Sequence, residues 1–286
     1  MSTASQRSLS IITVSYNAAP TIERTIRSVL CQAAESDWNV EYVVIDGGST
    51  DGTVDIIQSF DHQIDYWVSE ADRGIYDAMN KGIARVTGEW VGVLNSDDWY
   101  AKEAFSHLRK EIESNPQVDV VVGGVVRVTE DGTAGKLVLP PHQEFSALRP
   151  NNHPATFVKR DVYEQIGGFD LDYDIAADIE LILRVQATPN LNIGRSSPTY
   201  TYMQEGGASS GMSGIVESAR IERQYRGALS AGRVLLRKLY QKGRRKLMQG
   251  LIPDTVVAQM QEEWWRRRRN HVAVTQADYW CQTDRN

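Results

Sequence analysis

The chain has 286 residues, of which 41% are hydrophobic and 24% charged, as in ordinary globular proteins. This length predicts one domain of roughly 200 to 250 residues with an appendage. The charge is divided unevenly, because residues 219–286 hold 15 Lys and Arg against 6 Asp and Glu, a net of +9, whereas residues 1–218 have a net of −15. We therefore predict an acidic domain over residues 1–218 and a basic helical extension over residues 219–286, which suggests an anionic surface as partner.

Several classes of protein are disfavoured by the same sequence. No run of eighteen apolar residues occurs, and Leu9–Val14 is too short for the core of a signal peptide. Cys31 and Cys281 match no metal or redox motif, so we expect both to be reduced thiols of a cytoplasmic protein. Nucleic acid is a weak candidate partner because the domain is acidic and no recognition motif occurs.

The N-terminal half alternates strands with helices. Ser10–Val14 and Val40–Ile45 have the β-branched, apolar composition of buried strands, and a helical pattern begins near Pro20 between them. Asp65–Ser69 predicts a third strand, and a fourth ends at Asn95. This order predicts a mainly parallel sheet covered by helices. Because no Gly-x-Gly-x-x-Gly motif follows the first strand, a dehydrogenase is disfavoured.

Polar residues follow these strands at the carboxyl edge of the sheet, where open α/β folds bind ligands. Ser15-Tyr16-Asn17 follows the first strand, and Asp46 ends the second in a turn rich in glycine. Asp46 could accept a hydrogen bond from a base N–H or a ribose hydroxyl, whereas Asp51 is better explained as a turn residue. Farther along, Arg73 and Lys81 are placed to meet phosphate.

The segment Asn95-Ser96-Asp97-Asp98 follows the apolar run Val91–Leu94. Hard divalent cations such as Mg²⁺ and Mn²⁺ prefer oxygen ligands, often one or two carboxylates together with substrate phosphates. The same four residues could instead cap the following helix. The segment by itself leaves both interpretations open.

The pattern changes beyond Tyr100. We predict a helix over residues 101–115 and antiparallel strands over residues 118–128 and 137–139, joined by a hairpin at Asp131-Gly132. His153 is expected to open a strand after a loop, where it is either structural or in contact with a ligand. Asp178 lies beside the apolar stripe at the start of a helix, so it could act as a general base or complement the helix N-terminus. Residues 206–211 form a Gly-rich loop suited to closing over a site.

Together these motifs resemble the family 2 glycosyltransferases, nucleotide-sugar enzymes with the GT-A fold. The resemblance extends over roughly residues 9–215, in the family's order, through the segments Ile12–Asn17, Asp46–Thr53, Asp72–Gly82, Leu94–Asp98 and Ala177–Arg184. Gly74–Gly82 reads Gly-Ile-Tyr-Asp-Ala-Met-Asn-Lys-Gly, as in bacterial polysaccharide enzymes of this family. The resemblance implies an α/β, GT-A fold with a small antiparallel part, followed by the helical tail.

The resemblance also implies a reaction. An inverting transfer would move a sugar from a nucleotide-sugar donor, with UDP-sugars favoured, to a glycan or lipid-linked acceptor in cell-envelope polysaccharide synthesis. Asp97 would hold Mn²⁺ or Mg²⁺ on the diphosphate, and Asp178 would deprotonate the acceptor hydroxyl. The residues and the resemblance together give these expected donor contacts: Tyr16, Asp46, Arg73, Asn80, Lys81, Asn95, Ser96 and His153.

Two positions depart from the family pattern. Asn95 replaces the first acid of the metal-binding Asp-x-Asp motif, and Gly47 stands where many members have a second Asp. The Gln-x-x-Arg-Trp signature of processive synthases is absent, so we expect one sugar to be added per encounter. Asn95 keeps open an alternative function, that of a non-catalytic nucleotide-sugar sensor or assembly partner with the same fold.

The basic tail lies outside the resemblance. Apolar residues from Val234 to Met248 recur at helical spacing among Lys and Arg, and Trp264-Trp265 precedes four arginines. This pattern is typical of a helix lying on an anionic membrane, here the inner face of the cell membrane. A helix that packs on the catalytic domain with a solvated basic face explains the pattern equally well.

Overall fold

The computed structural model describes residues 7–129, 134–141, 145–146, 153–204, 212–251 and 271–273. Four parallel strands form one part of its sheet, in the spatial order β4-β1-β2-β3. Their bounds are β1 (Ser8–Ser15), β2 (Asn39–Asp46), β3 (Tyr66–Ser69) and β4 (Trp90–Asn95). The prediction of a mainly parallel, helix-covered sheet for this half is therefore confirmed.

Helices cover both faces of the parallel strands. The helices of this half are α1 (Ile22–Glu35), α2 (Thr53–Ser59), α3 (Ile75–Arg85) and α4 (Ala104–Ser114). Successive side chains of a strand point to opposite faces, so Leu9 and Ile11 of β1 belong to one core cluster and Ile12 and Val14 to the other. Both clusters bury aliphatic and aromatic side chains, which supplies the main driving force for this arrangement.

A mixed, mainly antiparallel part extends the sheet beyond β4. Its strands are β5 (Trp99–Tyr100), β6 (Val120–Val128), β7 (Ala134–Val138), β8 (Thr156–Lys159), β9 (Ile193–Gln204) and β10 (His271–Ala273). The strand β8 pairs antiparallel with β4 and with β6, and β7 pairs antiparallel with β6. The strand β9 pairs antiparallel with β5 and parallel with β6. The antiparallel pair predicted here is thus confirmed, although its turn at residues 131–132 lies outside the described residues.

Two local predictions are wrong. The helix expected from residue 101 begins at Ala104, because Trp99 and Tyr100 form β5, which pairs with β9. His153 does not open a strand but begins a 3₁₀ turn, His153–Ala155, ahead of β8. The sequence pattern of a short segment does not show the distant strand with which it pairs, as β9 pairs with β5.

The remaining helices are α5 (Arg160–Ile166), α6 (Ala177–Ala187), α7 (Met212–Arg226) and α8 (Ala228–Leu251). Helix α7 runs through the proposed division between residues 218 and 219, so the two-part division stays a prediction. Helix α8 packs against the rest of the protein through Val234, which is fully buried. Within the described part of the chain, no helix combines the length and the apolarity that a membrane span requires.

Cys31 lies in α1 and is disulfide-bonded, so the expectation of a reduced thiol at this position is wrong. That expectation rested on the spacing of cysteines along the chain. Spacing does not limit which side chains meet in the fold, because disulfide formation depends on the distance and direction of the Cβ atoms in space.

Candidate active site

The four parallel strands bring their polar ends to one edge. In the strand register Ser15 pairs with Asp46, Asp46 pairs with Ser69, and Val14 pairs with Asn95. The segments that follow β1, β2, β3 and β4 therefore begin side by side. This is the carboxyl edge, where the sequence predicts the ligand site.

The carboxylate of Asp46 is fully buried and organises the turn after β2. Its Oδ2 accepts hydrogen bonds from the backbone N–H of Gly48 at 3.1 Å, the N–H of Ser49 at 2.8 Å and the hydroxyl of Ser69 at 2.6 Å. Its Oδ1 accepts a hydrogen bond from the Ser49 hydroxyl at 2.5 Å. These four hydrogen bonds fix the carboxylate inside the turn, with three donors on Oδ2 and one on Oδ1.

A second carboxylate lies beside this turn. A Cβ atom placed on Gly47 would lie 2.5 Å from Oδ2 of Asp72 and 3.4 Å from Cδ2 of Tyr16. The Asp72 carboxylate therefore fills the space that a side chain at position 47 would take. Its Oδ1 accepts the N–H of Gly74 at 2.8 Å, whereas its Oδ2 meets no hydrogen-bond donor among the described residues. The ring of Tyr16 beside it is 66% exposed and free to stack on a planar group.

Two cations border this edge, and both are already paired. Arg73 is 76% exposed and its Nη2 lies 2.9 Å from Oδ1 of Asp77. Lys81 Nζ lies 2.8 Å from Oε1 of Glu70, and this hydrogen bond raises the pKa of Lys81. Each cation therefore has a carboxylate partner that a phosphate would have to replace.

The side chain of Asn80 ties α3 to the segment before α6. Its Nδ2 donates to the carbonyl of Phe169 at 2.8 Å, and its Oδ1 accepts the N–H of the same residue at 2.8 Å. One N–H of the amide is left for another acceptor. The expected donor contact of Asn80 stays a prediction, and its structural role in the protein is this pair of hydrogen bonds.

The last residue of β4, Asn95, and the turn that follows it, with Ser96 and Asp97, form the next part of this edge. The next helix, α4, has its N-cap at Glu103, so the interpretation of this segment as a helix cap is wrong. Ser96 is anchored to β1, since its N–H donates to the carbonyl of Val14 at 3.1 Å. The turn is thus a fixed extension of the strand edge.

Arg24 and Asp98 hold this turn in place. Nη2 of Arg24 donates to the Asp97 carbonyl at 2.8 Å and to Oε1 of Gln204 at 2.8 Å, and its guanidinium lies 3.9 Å from the centroid of the Trp99 ring. The buried Asp98 accepts the N–H of Gln204 at 3.2 Å. Burial raises the pKa of the Asp98 carboxyl well above its usual range, and the neighbouring Asp97 raises it further.

The donor set of this turn fits a small divalent cation. No cluster of three or more His, Cys, Asp and Glu side chains with metal-binding geometry occurs in the described part of the chain. A Mg²⁺ or Mn²⁺ ion held by one carboxylate and substrate phosphates does not need such a cluster. Oδ1 of Asn95 is buried and has no hydrogen-bond partner, and burial raises the pKa of the nearby Asp97. Both carry oxygen atoms of the kind that such a cation binds, and a bound cation would compensate the cost of their burial.

Asp178 lies in the first turn of α6. Its Oδ1 accepts a hydrogen bond from the Tyr76 hydroxyl at 3.2 Å. Across from it, the carboxylate of Glu217 accepts the N–H groups of residues 174, 175 and 176 at 2.9 to 3.1 Å. Glu217 of α7 thereby caps the residues ahead of α6 and fixes the direction from which Asp178 projects.

His153 lines a cavity together with Asp178 and Phe169. Its ring lies 6.3 Å from that of Phe169, and its Nε2 is buried without a hydrogen-bond partner. Burial lowers the pKa of His153, against the opposing effect of Asp178. The structure therefore places this residue beside the predicted base rather than at the strand edge where the donor contacts lie.

Sequence reasoning missed Asp72 and Glu217 as candidate residues of the site. Asp72 carried a weak signal, since it precedes Arg73-Gly74 within a segment already linked to the family. Glu217 lies in helix α7, about 40 positions after Asp178. No motif spacing connects such distant positions, so only the fold brings them together.

The fold and this edge of polar residues define a nucleotide-sugar transferase of the GT-A type. The chain matches the family model described as glycosyl transferase family 2 over residues 10–169. It therefore belongs to that family and is a glycosyltransferase, which confirms the resemblance.

Relatives and solved structures agree with this assignment. An uncharacterised glycosyltransferase of Mycobacterium tuberculosis is 34% identical over 179 residues, which cover 62% of this chain and 68% of the relative. A putative teichuronic acid biosynthesis glycosyltransferase of Bacillus subtilis is 40% identical over 108 residues, or 37% of this chain and 40% of the relative. The structure of S. aureus TarS 1–349 in complex with UDP-GlcNAc matches with a TM-score of 0.60 at 18% identity, covering 91% of this chain and 79% of that chain. At that identity the likeness shows the fold alone.

Proposed function

We propose that this glycosyltransferase is inverting, metal-dependent and non-processive, and that it transfers a sugar from a UDP-sugar to a glycan or lipid-linked acceptor of the cell envelope. The observation that carries this proposal is the meeting of Tyr16, Asp72 and the Asn95–Asp97 turn at one sheet edge. The relative named for teichuronic acid biosynthesis supports the substrate class. A UDP-GlcNAc complex in the TarS structure supports the choice of nucleotide.

In this proposal the base of the donor stacks on Tyr16, and a carboxylate accepts one of its N–H groups. Asp46 is the contact that the sequence predicts, but its carboxylate is fully buried and holds the turn together through four hydrogen bonds. Asp72 has a carboxylate oxygen beside Tyr16 without a donor of its own. We therefore propose that Asp72 accepts the hydrogen bond from the nucleotide base and that Asp46 stabilises the turn.

Asp97 and the amide oxygen of Asn95 would hold the metal. When bound, the cation supplies positive charge that stabilises the leaving nucleoside diphosphate. Arg73 and Lys81 contribute further positive charge by turning from Asp77 and Glu70 toward the phosphates. With one carboxylate instead of two, this site would bind Mn²⁺ or Mg²⁺ more weakly than a full Asp-x-Asp motif does.

Asp178 would take the proton from the acceptor hydroxyl. The Tyr76 hydroxyl holds Oδ1, which leaves Oδ2 to face the acceptor. The acceptor oxygen then attacks the anomeric carbon from the face opposite the diphosphate, and the C–O bond to the diphosphate breaks. This displacement inverts the anomeric configuration, because one bond forms as the other breaks on the opposite side.

The test is release of nucleoside diphosphate from a panel of UDP-, GDP- and TDP-sugars, each with Mn²⁺, Mg²⁺ or EDTA. Membrane lipid extract serves as the source of acceptors. We expect turnover of a UDP-sugar that EDTA abolishes and that is lost in Asp97→Asn and in Asp178→Asn. Metal-independent turnover would refute the metal assignment, and an active Asp178→Asn variant would refute the base.

We also propose that the basic tail contacts an anionic membrane. The exposed apolar residues of α8 include Leu229 at 85%, Leu236 at 71% and Tyr240 at 70%. They alternate with exposed Arg233 and Arg237, as in helices that lie in a membrane interface. Sedimentation with vesicles containing anionic lipid, and not with neutral vesicles, is the expected result. Equal sedimentation with both would exclude the electrostatic part of the proposal.

A further inference from the structure

A carboxylate of helix α7 holds the backbone that leads into the predicted base. Oε1 of Glu217 accepts the N–H of Asp174 at 3.1 Å, and its Oε2 accepts the N–H groups of Ile175 at 2.9 Å and Ala176 at 3.0 Å. Ala176 is the N-cap of α6, and its methyl side chain cannot accept a hydrogen bond as a Ser or Asp at this position would. The start of α6 is therefore held by a side chain of a distant helix.

The same stretch of backbone is held from the other side by Tyr76 of α3. The Tyr76 hydroxyl lies 2.9 Å from the carbonyl oxygen of Ile175 and 3.2 Å from Oδ1 of Asp178, so it joins this backbone to the side chain of the base. Burial raises the pKa of Tyr76, and the carboxylate of Asp178 raises it further, so the hydroxyl keeps its proton at neutral pH. Ile175 is thus fixed at its N–H by Glu217 and at its carbonyl by Tyr76, and Asp178 follows three positions later.

Helix α7 is also docked by contacts that do not involve this backbone. Tyr225 of α7 donates to Oε1 of Glu180 at 2.5 Å, and the Tyr173 hydroxyl donates to Oε1 of Gln224 at 3.2 Å. These hydrogen bonds remain when the side chain of Glu217 is changed. A substitution of Glu217 should therefore loosen the segment ahead of α6 without detaching α7 from the protein.

We propose that Glu217 is a positioning residue for Asp178, so that sugar transfer depends on a residue of α7, outside the residues 10–169 that match the family model. Its carboxylate acts through the backbone of residues 174–176 and not by contact with a substrate. This inference rests on the proposed function, since it takes Asp178 as the base. Misplacement of a reacting group by about 1 Å can cost about 10²-fold in rate. A loosened start of α6 should therefore slow the transfer and leave donor binding at the strand edge unchanged.

Two variants of Glu217 and a matched control test the proposal. Glu217→Ala removes all three acceptor contacts, whereas Glu217→Gln keeps one oxygen for two of the three N–H groups. The control is Arg220→Ala, because Arg220 is exposed on the same helix and contacts Asp172, just ahead of the segment, but as a cation accepts no N–H. Turnover is measured with UDP-sugars, Mn²⁺ and membrane lipid extract, and hydrogen exchange of the amides of residues 174–176 is followed by NMR. Urea unfolding verifies that each variant folds.

We expect the amides of residues 174–176 to exchange about 10- to 100-fold faster in Glu217→Ala, the range for a lost hydrogen bond to a charged group. Its kcat should fall about 10- to 100-fold, while the KM for the UDP-sugar and the Kd for UDP should not change. Glu217→Gln should lie between Glu217→Ala and the wild type, and Arg220→Ala should match the wild type. Unchanged exchange in Glu217→Ala, or faster exchange with an unchanged kcat, would overturn the inference.

A double variant separates positioning of Asp178 from a general loss of structure. If Glu217 acts only through Asp178, combining Glu217→Ala with Asp178→Asn should give the turnover of Asp178→Asn alone. Losses that multiply in the double variant would overturn the inference. The proposed function fails, by contrast, if Asp178→Asn is as active as the wild type, and the inference alone fails if Asp178→Asn is slow and Glu217→Ala is not.

Discussion

Replacement of Asp72 by asparagine tests how the donor base is recognised. Asparagine keeps the oxygen that accepts the N–H of Gly74 at 2.8 Å, so the loop before α3 should keep its shape. The second carboxylate oxygen, which lies where a side chain on Gly47 would reach, becomes an NH₂ group. That group donates hydrogen bonds and cannot accept one from a base N–H.

The magnitude follows from the loss of one charge-assisted hydrogen bond in a partly buried site. Such a bond contributes about 1.5 to 3 kcal/mol, which corresponds to roughly a 10- to 150-fold weaker affinity. Calorimetric titration of UDP into the wild type and into Asp72→Asn, at a fixed Mg²⁺ concentration, measures this change. Inorganic diphosphate is the internal control, since it has no base and should bind both proteins equally.

The reasoning would be refuted by an unchanged UDP affinity in Asp72→Asn, or by an equal loss for UDP and inorganic diphosphate. A paired exchange adds a second check. Gly47→Asp alone should bind UDP poorly, because its side chain overlaps the Asp72 carboxylate at 2.5 Å. Adding Asp72→Gly removes the overlap and restores a carboxylate near Tyr16, so the double variant should recover part of the affinity.

Three further outcomes are expected. Asp178→Asn keeps an acceptor for the Tyr76 hydroxyl but removes the base, so it should lower turnover by about 10²- to 10⁴-fold and leave the UDP affinity unchanged. A proportional loss of UDP binding would instead indicate misfolding. Gly82→Ala would place a Cβ 2.4 Å from Cγ2 of Ile12, so urea unfolding should show a loss of about 1 to 3 kcal/mol, and a loss below 0.5 kcal/mol would contradict this packing. Burial lowers the pKa of His153, so the unfolded chain takes up a proton at this residue at a higher pH than the folded protein does. The stability that neutral His153 contributes is therefore complete above pH 6.5 and is lost as the pH falls through the pKa of His153 in the folded protein. Below pH 6.5 the wild type should therefore lose up to about 1.4 kcal/mol per pH unit more than His153→Gln, and parallel curves for the two proteins would exclude this linkage.

The parallel half of the fold could be predicted because its signals are local. The strands β1, β2 and β4 are apolar runs that end in polar turns, and their helices have regular apolar spacing. Such segments are buried on both faces, which leaves little freedom in how they pair. The position of the candidate site follows directly, since the carboxyl ends of neighbouring parallel strands must share one edge.

The antiparallel half depends on contacts between distant segments and was less predictable. The strand β9 (Ile193–Gln204) contains serines, threonines and a proline, so its sequence does not show a clear alternation. It becomes a strand because it pairs with β6 and with the two residues of β5. His153 shows the same effect, since its environment is set by α6 and by Phe169 rather than by its neighbours in the chain.

The two departures from the family pattern illustrate why a motif should be judged in three dimensions. Gly47 lacks the acid of many relatives, yet the Asp72 carboxylate occupies the space beside it, so a negative group remains next to Tyr16. Asn95 lacks the charge of an acid, but its amide oxygen is buried without a partner next to Asp97. In both cases an oxygen acceptor is retained. Beside Gly47 it comes from a different residue, Asp72, and at position 95 it is an uncharged amide oxygen instead of a carboxylate. We infer that recognition of the nucleotide base is fully retained and that metal affinity is reduced. Asn95→Asp should therefore lower the Mn²⁺ concentration needed for half-maximal turnover. An unchanged or higher Mn²⁺ requirement would show that Asn95 does not face the metal.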